Sequence, residues 1–170
     1  MENLQINYVS SEEDVARLLN KDWIVDGILQ QSAYVLNEGE TYISVNRPAI
    51  ESYDRDVSDF IGKHPSFNSS PRSDTYCRAM LHVGDIRNID IHLDKEHLNL
   101  SVDVEPRAMH TRSHAGIFTR ASGITLKPNR AYPSSDEKFG ISTDAILMKV
   151  RFHLLSLSKV ETKPIVYEKA

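Results

Sequence analysis

His97-Leu98-Asn99-Leu100-Ser101-Val102-Asp103-Val104 alternates polar and apolar residues without a break. Successive side chains of a strand point to opposite faces, so Leu98, Leu100, Val102 and Val104 share one side and their polar partners the other. That is the pattern of an antiparallel sheet with one packed and one wet face. The same alternation runs through Thr75-Tyr76-Cys77-Arg78-Ala79-Met80-Leu81-His82-Val83. It returns near the end, where Ile146, Met148, Val150, Phe152 and Leu154 alternate with Lys149, Arg151 and His153 and predict another strand. Cys77 falls on the apolar side of its strand and reads as a small hydrophobe, not a nucleophile.

Shorter signals fill in the first half. Asp26-Gly27 stands between Trp23-Ile24-Val25 and Ile28-Leu29, and this dipeptide tolerates the positive φ angles of a tight hairpin. Asn37-Glu38-Gly39-Glu40 divides Ala33–Leu36 from Thr41–Val45, extending an antiparallel meander. Ser10-Ser11-Glu12-Glu13-Asp14 has the layout of a capping box and predicts a short helix ending near Asn20. After Pro48, the spacing of Ile50, Tyr53, Val57, Phe60 and Ile61 predicts a second helix, with Glu51, Asp54, Asp56 and Asp59 turned away from its packed face. Residues 64–74 read as a loop, and residues 162–170 as a loose C-terminal tail. The expected architecture is one α+β domain over residues 1–170, with a mostly antiparallel sheet and two or three helices.

Charge is sharply segregated along the chain. Between Pro106 and Ser134 there is no acidic residue, while Arg107, Arg112, Arg120, Lys127 and Arg130 give the stretch a charge of +5. The remaining residues hold 15 basic against 24 acidic side chains, which leaves the whole at −4. Such separation creates a local field that attracts anions even on a mildly acidic protein. Because Pro106, Gly116, Gly123, Pro128 and Pro133 interrupt this stretch, it is expected to be largely loop with at most one short helix or strand. No run approaches the roughly 18 apolar residues of a membrane helix. The start, Met1-Glu2-Asn3-Leu4, shows no basic leader, and a lone cysteine fits a reducing cytoplasm without a disulfide framework.

The densest chemistry lies in Asp103–Arg120. Arginine forks can grip phosphate or carboxylate oxygens, and a neutral histidine can move a proton. His110 and His114 are therefore the catalytic candidates. Arg107, Arg112, Ser113, Arg120, Lys127 and Arg130 are the anion-binding candidates. The competing reading is that these arginines pair with carboxylates of the acidic first sixty residues while the histidines close loop hydrogen bonds. His110 and His114 have the i, i+4 spacing of a shared metal, but Arg112 between them opposes a divalent cation. Asp90, His92, Asp94, Glu96 and His97 read as a solvated hairpin tip. No metal and no cofactor is expected. His64-Pro65-Ser66-Phe67 matches half of the paired histidine pattern of two-histidine phosphoesterases, and the second half is missing.

Asp26-Gly27, Ile43-Ser44-Val45, Val83-Gly84-Asp85-Ile86 and Ser113-His114-Ala115-Gly116, in that order, resemble a loosely defined group of small bacterial proteins of no established activity. The resemblance spans about Trp23 to Phe118 and implies that His114 belongs to a recurring pattern. Three functions are open at this level. The first is a binding module that receives an anionic nucleotide, RNA segment or acidic protein surface on the basic loop. The second is a small metal-independent enzyme acting on phosphodiesters or nucleotides, as in a toxin or defence system, and the third a subunit of a homo-oligomer whose acidic and basic faces meet.

Overall fold

The computed structural model describes residues 6–70, 74–91, 99–128 and 143–167. Nine strands form within them: β1 Asp14–Leu18, β2 Ile24–Val25, β3 Ile28–Leu29, β4 Ile43–Asn46, β5 Thr75–His82, β6 Leu100–Pro106, β7 His114–Ala121, β8 Ile124–Thr125 and β9 Lys159–Pro164. Seven make one sheet, ordered β6-β7-β4-β1-β5-β9 with β8 beside β7, and every pairing is antiparallel. The hairpin β2–β3 stands apart, and its turn has φ of 52° at Asp26 and 77° at Gly27, the left-handed pair expected of this dipeptide. Helices α1 Tyr53–Lys63, α2 Val83–Arg87 and α3 Thr143–Leu157 complete an α+β domain.

Two apolar layers hold the sheet between the helices. On one face Val15, Val45, Leu81, Val102, Val104 and Ile117 pack against Val83 and Ile86 of α2 and Val150 and Leu154 of α3. On the other, Ala16, Leu18 and Tyr76 meet Tyr53, Val57 and Ile61 of α1. Each fully buried Val, Leu or Ile contributes roughly 1.5–3 kcal/mol of transfer free energy, so the larger layer dominates the fold.

Four expectations need correction. The C-terminal strand is helix α3: Ile146, Val150 and Leu154 are buried at every fourth position, while Met148 is 42% and Phe152 50% exposed. Its apolar residues satisfy both periods, and a run of 15 residues belongs to the helix. The helix expected after Ser10 is strand β1. Glu13 does reach back to the Ser10 N–H (2.9 Å), but Val15, Ala16, Leu18 and Leu19 are all buried, and a segment covered on both faces suits a central strand. The basic stretch carries two strands where at most one was expected, with β7 at 114–121 and β8 at 124–125 and its other described residues after Pro106 in turns and loop. Thr162–Pro164 stand in β9, and Ile165 is buried with its N–H on Asp74 O (2.8 Å), so the chain is held up to that point.

Elsewhere, residues 33–34 lie in a 3₁₀ turn, not a strand. The hairpin tip expected at Asp94-Lys95-Glu96 falls outside the described residues. No helix among the described residues is long and apolar enough to cross a membrane.

Candidate functional site

The site begins with a gap in the sheet. β1 and β4 share a single bridge, Ala16 opposite Asn46, whereas β1 pairs with β5 over all five of its residues. Beyond the bridge the Arg17 side chain takes the place of strand pairing. Its Nη1 donates to Ser44 O (2.8 Å) and its Nε to Ala33 O (2.9 Å), with Cζ 4.8 Å from the centre of the Trp23 ring. Burial lowers its pKa to about 10, partly opposed by Tyr34 and Glu40. Arg17 forms no ion pair among the described residues.

The connection from β6 to β7 supplies the opposite wall. Arg107 N–H donates to His114 O (2.7 Å), His110 N–H to Arg107 O (3.1 Å) and His114 N–H to Thr111 O (3.0 Å). These turns bring the His110 and His114 rings to a centroid distance of 5.2 Å. His114 is half-buried, and its pKa is lowered to about 4, first by desolvation, then by His110 and Arg107, against a smaller opposite effect of Asp56. It is therefore neutral at neutral pH.

Asp56 enters from α1. Its Oδ2 accepts from Ser52 Oγ (2.9 Å), Ser113 Oγ (2.7 Å) and Ser113 N–H (3.1 Å). No hydrogen bond falls on Oδ1 among the described residues, and Asp56 has no cationic partner there. The Ser113 hydroxyl also accepts from Asn46 Nδ2 (2.9 Å), so its capacity is spent inside the protein. Around these groups lies a cavity of about 270 Å³, lined by Arg17, Leu18, Ser44, Asn46, Asp56, Phe60, Phe67, His110, Thr111 and His114. Phe60 and Phe67 form its aromatic wall, edge to face at 4.8 Å.

Of the residues singled out from the sequence, only His110 and His114 line this cavity. Arg107 lies over the rings of Tyr42 (5.0 Å) and Phe118 (4.7 Å). Arg120 covers Phe118 from 4.9 Å and grips Glu105 with both Nη atoms, at 2.6 and 3.0 Å, an interaction that raises its pKa. Arg120 is thus paired internally, but with Glu105 and not with a carboxylate of the first sixty residues. Arg112 is exposed in a separate groove with Glu51, Asp54 and Arg55, Lys127 is half-buried, and Arg130 lies outside the described residues. Gly116 lets the Tyr42 ring lie against β7, because a Cβ there would stand 2.5 Å from Tyr42 Cδ2.

The residues missed in the sequence are Arg17, Asn46, Asp56 and Phe60. Arg17 did carry a signal, since it is one charge inside Val15-Ala16-Arg17-Leu18-Leu19, and a cation embedded in an apolar run needs a special environment. Asp56 was assigned to the solvent face of its helix and is instead 8% exposed. The described residues contain no cluster of three or more His, Cys, Asp or Glu arranged for a metal. A larger cavity of about 500 Å³ lies between α3 and the opposite sheet face, with mainly apolar walls that include Ile43, Ile117, Leu147 and Met148. The smaller cavity has the more diverse chemistry: a cation, a carboxylate and two imidazoles. No family model, no curated protein and no solved structure matches this chain.

Proposed function

We propose that the protein is a binding module for a small anionic ligand, received in the cavity between α1, the β1–β4 gap and the β6–β7 connection. The observation that carries this reading is Arg17, a cation that lines a cavity, is held by two backbone carbonyls and forms no ion pair among the described residues. A buried charge is costly unless something of opposite sign meets it, and an anion in the cavity would do so. The attraction for anions that the sequence located on the basic loop is thereby moved to a cleft beside it. Arg120 is neutralised by Glu105 and Arg107 is stacked on aromatic rings, which weakens any broad polyanion surface. A reducing cytoplasm suits the free, half-buried Cys77.

Calorimetric titration with small carboxylates and with inorganic phosphate, repeated across a salt series, tests this function. Saturable binding that weakens with salt is expected, with loss of binding in Arg17→Met. Absence of saturable binding by any anion would remove the proposal.

One observation favours a second reading. His110 and His114 line the same cavity with ring centroids 5.2 Å apart, and His114 is in its neutral, acceptor form at neutral pH. In a small metal-independent phosphodiesterase or nucleotide-acting enzyme these two would share acid and base roles. Turnover lost in a folded His114→Ala variant supports that reading, and unchanged turnover disposes of it.

A further inference from the structure

Arg17 and Asp56 line one cavity with opposite charges and do not meet each other. Each is held by the protein through some of its polar atoms and leaves others open. Arg17 spends Nε and Nη1 on backbone carbonyls, and Nη2 makes no hydrogen bond among the described residues. Among the described residues Asp56 takes three donors on Oδ2 and none on Oδ1.

Building on the anion-binding reading above, we propose that the occupant is a zwitterion: a free α-amino acid with an apolar side chain, its carboxylate on Arg17 and its ammonium on Asp56. A planar carboxylate matches the edge of a guanidinium, and an ammonium needs acceptors, which Asp56 Oδ1 supplies. Leu18, Phe60 and Phe67 provide an apolar wall for the side chain. At about 270 Å³ the cavity lies just below the roughly 300–1,000 Å³ of drug-sized sites, so the occupant is small.

The alternatives within the anionic class fit less well. Among the described lining residues a phosphate dianion would find one arginine, Arg17, and would share the cavity with the Asp56 carboxylate. A simple monocarboxylate would satisfy Arg17 and leave Asp56 without a counter-charge. His114, held neutral by its surroundings, adds no second cation to compete with the ammonium for Asp56.

The test is calorimetry on the full chain at neutral pH and low salt with four probes: L-phenylalanine, 3-phenylpropanoate, 2-phenylethylamine and inorganic phosphate. Phenylalanine is expected to bind at least about tenfold more tightly than either half-molecule, because removing one partner of a desolvated charge pair is expensive. If 3-phenylpropanoate or phosphate binds as tightly as phenylalanine, the zwitterion is overturned and the anion reading stands. If 2-phenylethylamine alone matches phenylalanine, or no probe binds, both fall. Asp56→Asn is expected to reduce phenylalanine affinity about tenfold while leaving 3-phenylpropanoate unchanged. Equal loss for both probes would make Asp56 a scaffold residue only and overturn the assignment. Should this variant fail to fold by circular dichroism, the ladder of wild-type affinities decides alone.

Discussion

Arg47 and Arg17 are both cations drawn into the body of the protein, and the fold treats them differently. Arg47 is wholly buried and closed on all sides. Its Nε and Nη2 grip Glu13 at 2.9 and 2.8 Å, and it donates to Ile6 O (3.1 Å) and Tyr8 O (2.9 Å). With Arg87, which binds Asp103, Ser11 and Val9 O, it straps the N-terminal segment across the sheet. Arg17 meets two carbonyls and the face of Trp23, lines a cavity and forms no ion pair among the described residues. Where the protein completes its own charge pairing it leaves no room for a ligand. The proposed site lies where it holds opposite charges apart around a space.

The sharpest way to break this contrast is to treat Arg47 as if it were dispensable. Arg47→Met leaves Glu13 buried without its cation and is expected to cost about 3–5 kcal/mol, read as a shift in the urea midpoint. Adding Glu13→Leu should recover most of the loss, because an apolar pair of similar volume carries no desolvation penalty. A loss below about 1 kcal/mol for the single variant would mean that the closed region is no more closed than a surface pair.

Gly116→Ala probes the wall beside the open region. Its Cβ would lie 2.5 and 2.7 Å from ring atoms of Tyr42, which is itself stacked on Phe118 at 5.1 Å and 5.9 Å from His114. The ring cannot yield without losing those contacts, and a cost of about 1–3 kcal/mol is expected from overpacking. Thermal unfolding that is unchanged by the substitution would show that Tyr42 is free to move.

Arg17→Met should separate folding from binding. Two hydrogen bonds to backbone carbonyls and one ring contact are lost, worth about 1–2 kcal/mol together, well short of the Arg47 effect. Anion binding is expected to disappear in the same protein. A variant as unstable as Arg47→Met would place Arg17 among the structural cations and erase the distinction.

How much of this was written in the sequence follows from which interactions are local. The alternation of Leu100, Val102 and Val104 and the Asp26-Gly27 turn depend on neighbours a few residues away, and both were readable. For α3 the pattern was ambiguous, since Ile146, Val150 and Leu154 also lie on an alternating series and only tertiary packing exposes Met148 and Phe152. At Ser10–Glu13 one bond of the capping box forms, from the Ser10 N–H to the Glu13 carboxylate, but the position of β1 between β4 and β5 overrides the helix it announces. The candidate site was legible only where it is sequential. His110 and His114 come from one turn, whereas Asn46, Asp56 and Arg17 join them through strand order and a missing stretch of β1–β4 pairing. A net charge count could not reveal that Arg120 is spent on Glu105.

The smallest expected effect is a pH dependence that belongs to the open region. His114 has its pKa lowered to about 4 from an ordinary 6.5, by desolvation and then by His110 and Arg107, with Asp56 acting the other way. Between those two values the unfolded chain takes up a proton that the folded protein refuses. The contribution of this residue to stability is therefore full above pH 6.5, declines as pH falls through the window and is gone below about 4. For a half-exposed imidazole, solvent screening reduces the effect to on the order of 1 kcal/mol. Denaturant midpoints of wild type and His114→Asn, followed from pH 7 to pH 4, isolate it because every other titrating group is common to both. The wild type should lose stability more steeply than the variant on acidification. A parallel pair of curves would mean that His114 is as free to protonate in the fold as in the unfolded chain, and that the water-poor cleft proposed around Arg17 is open to solvent.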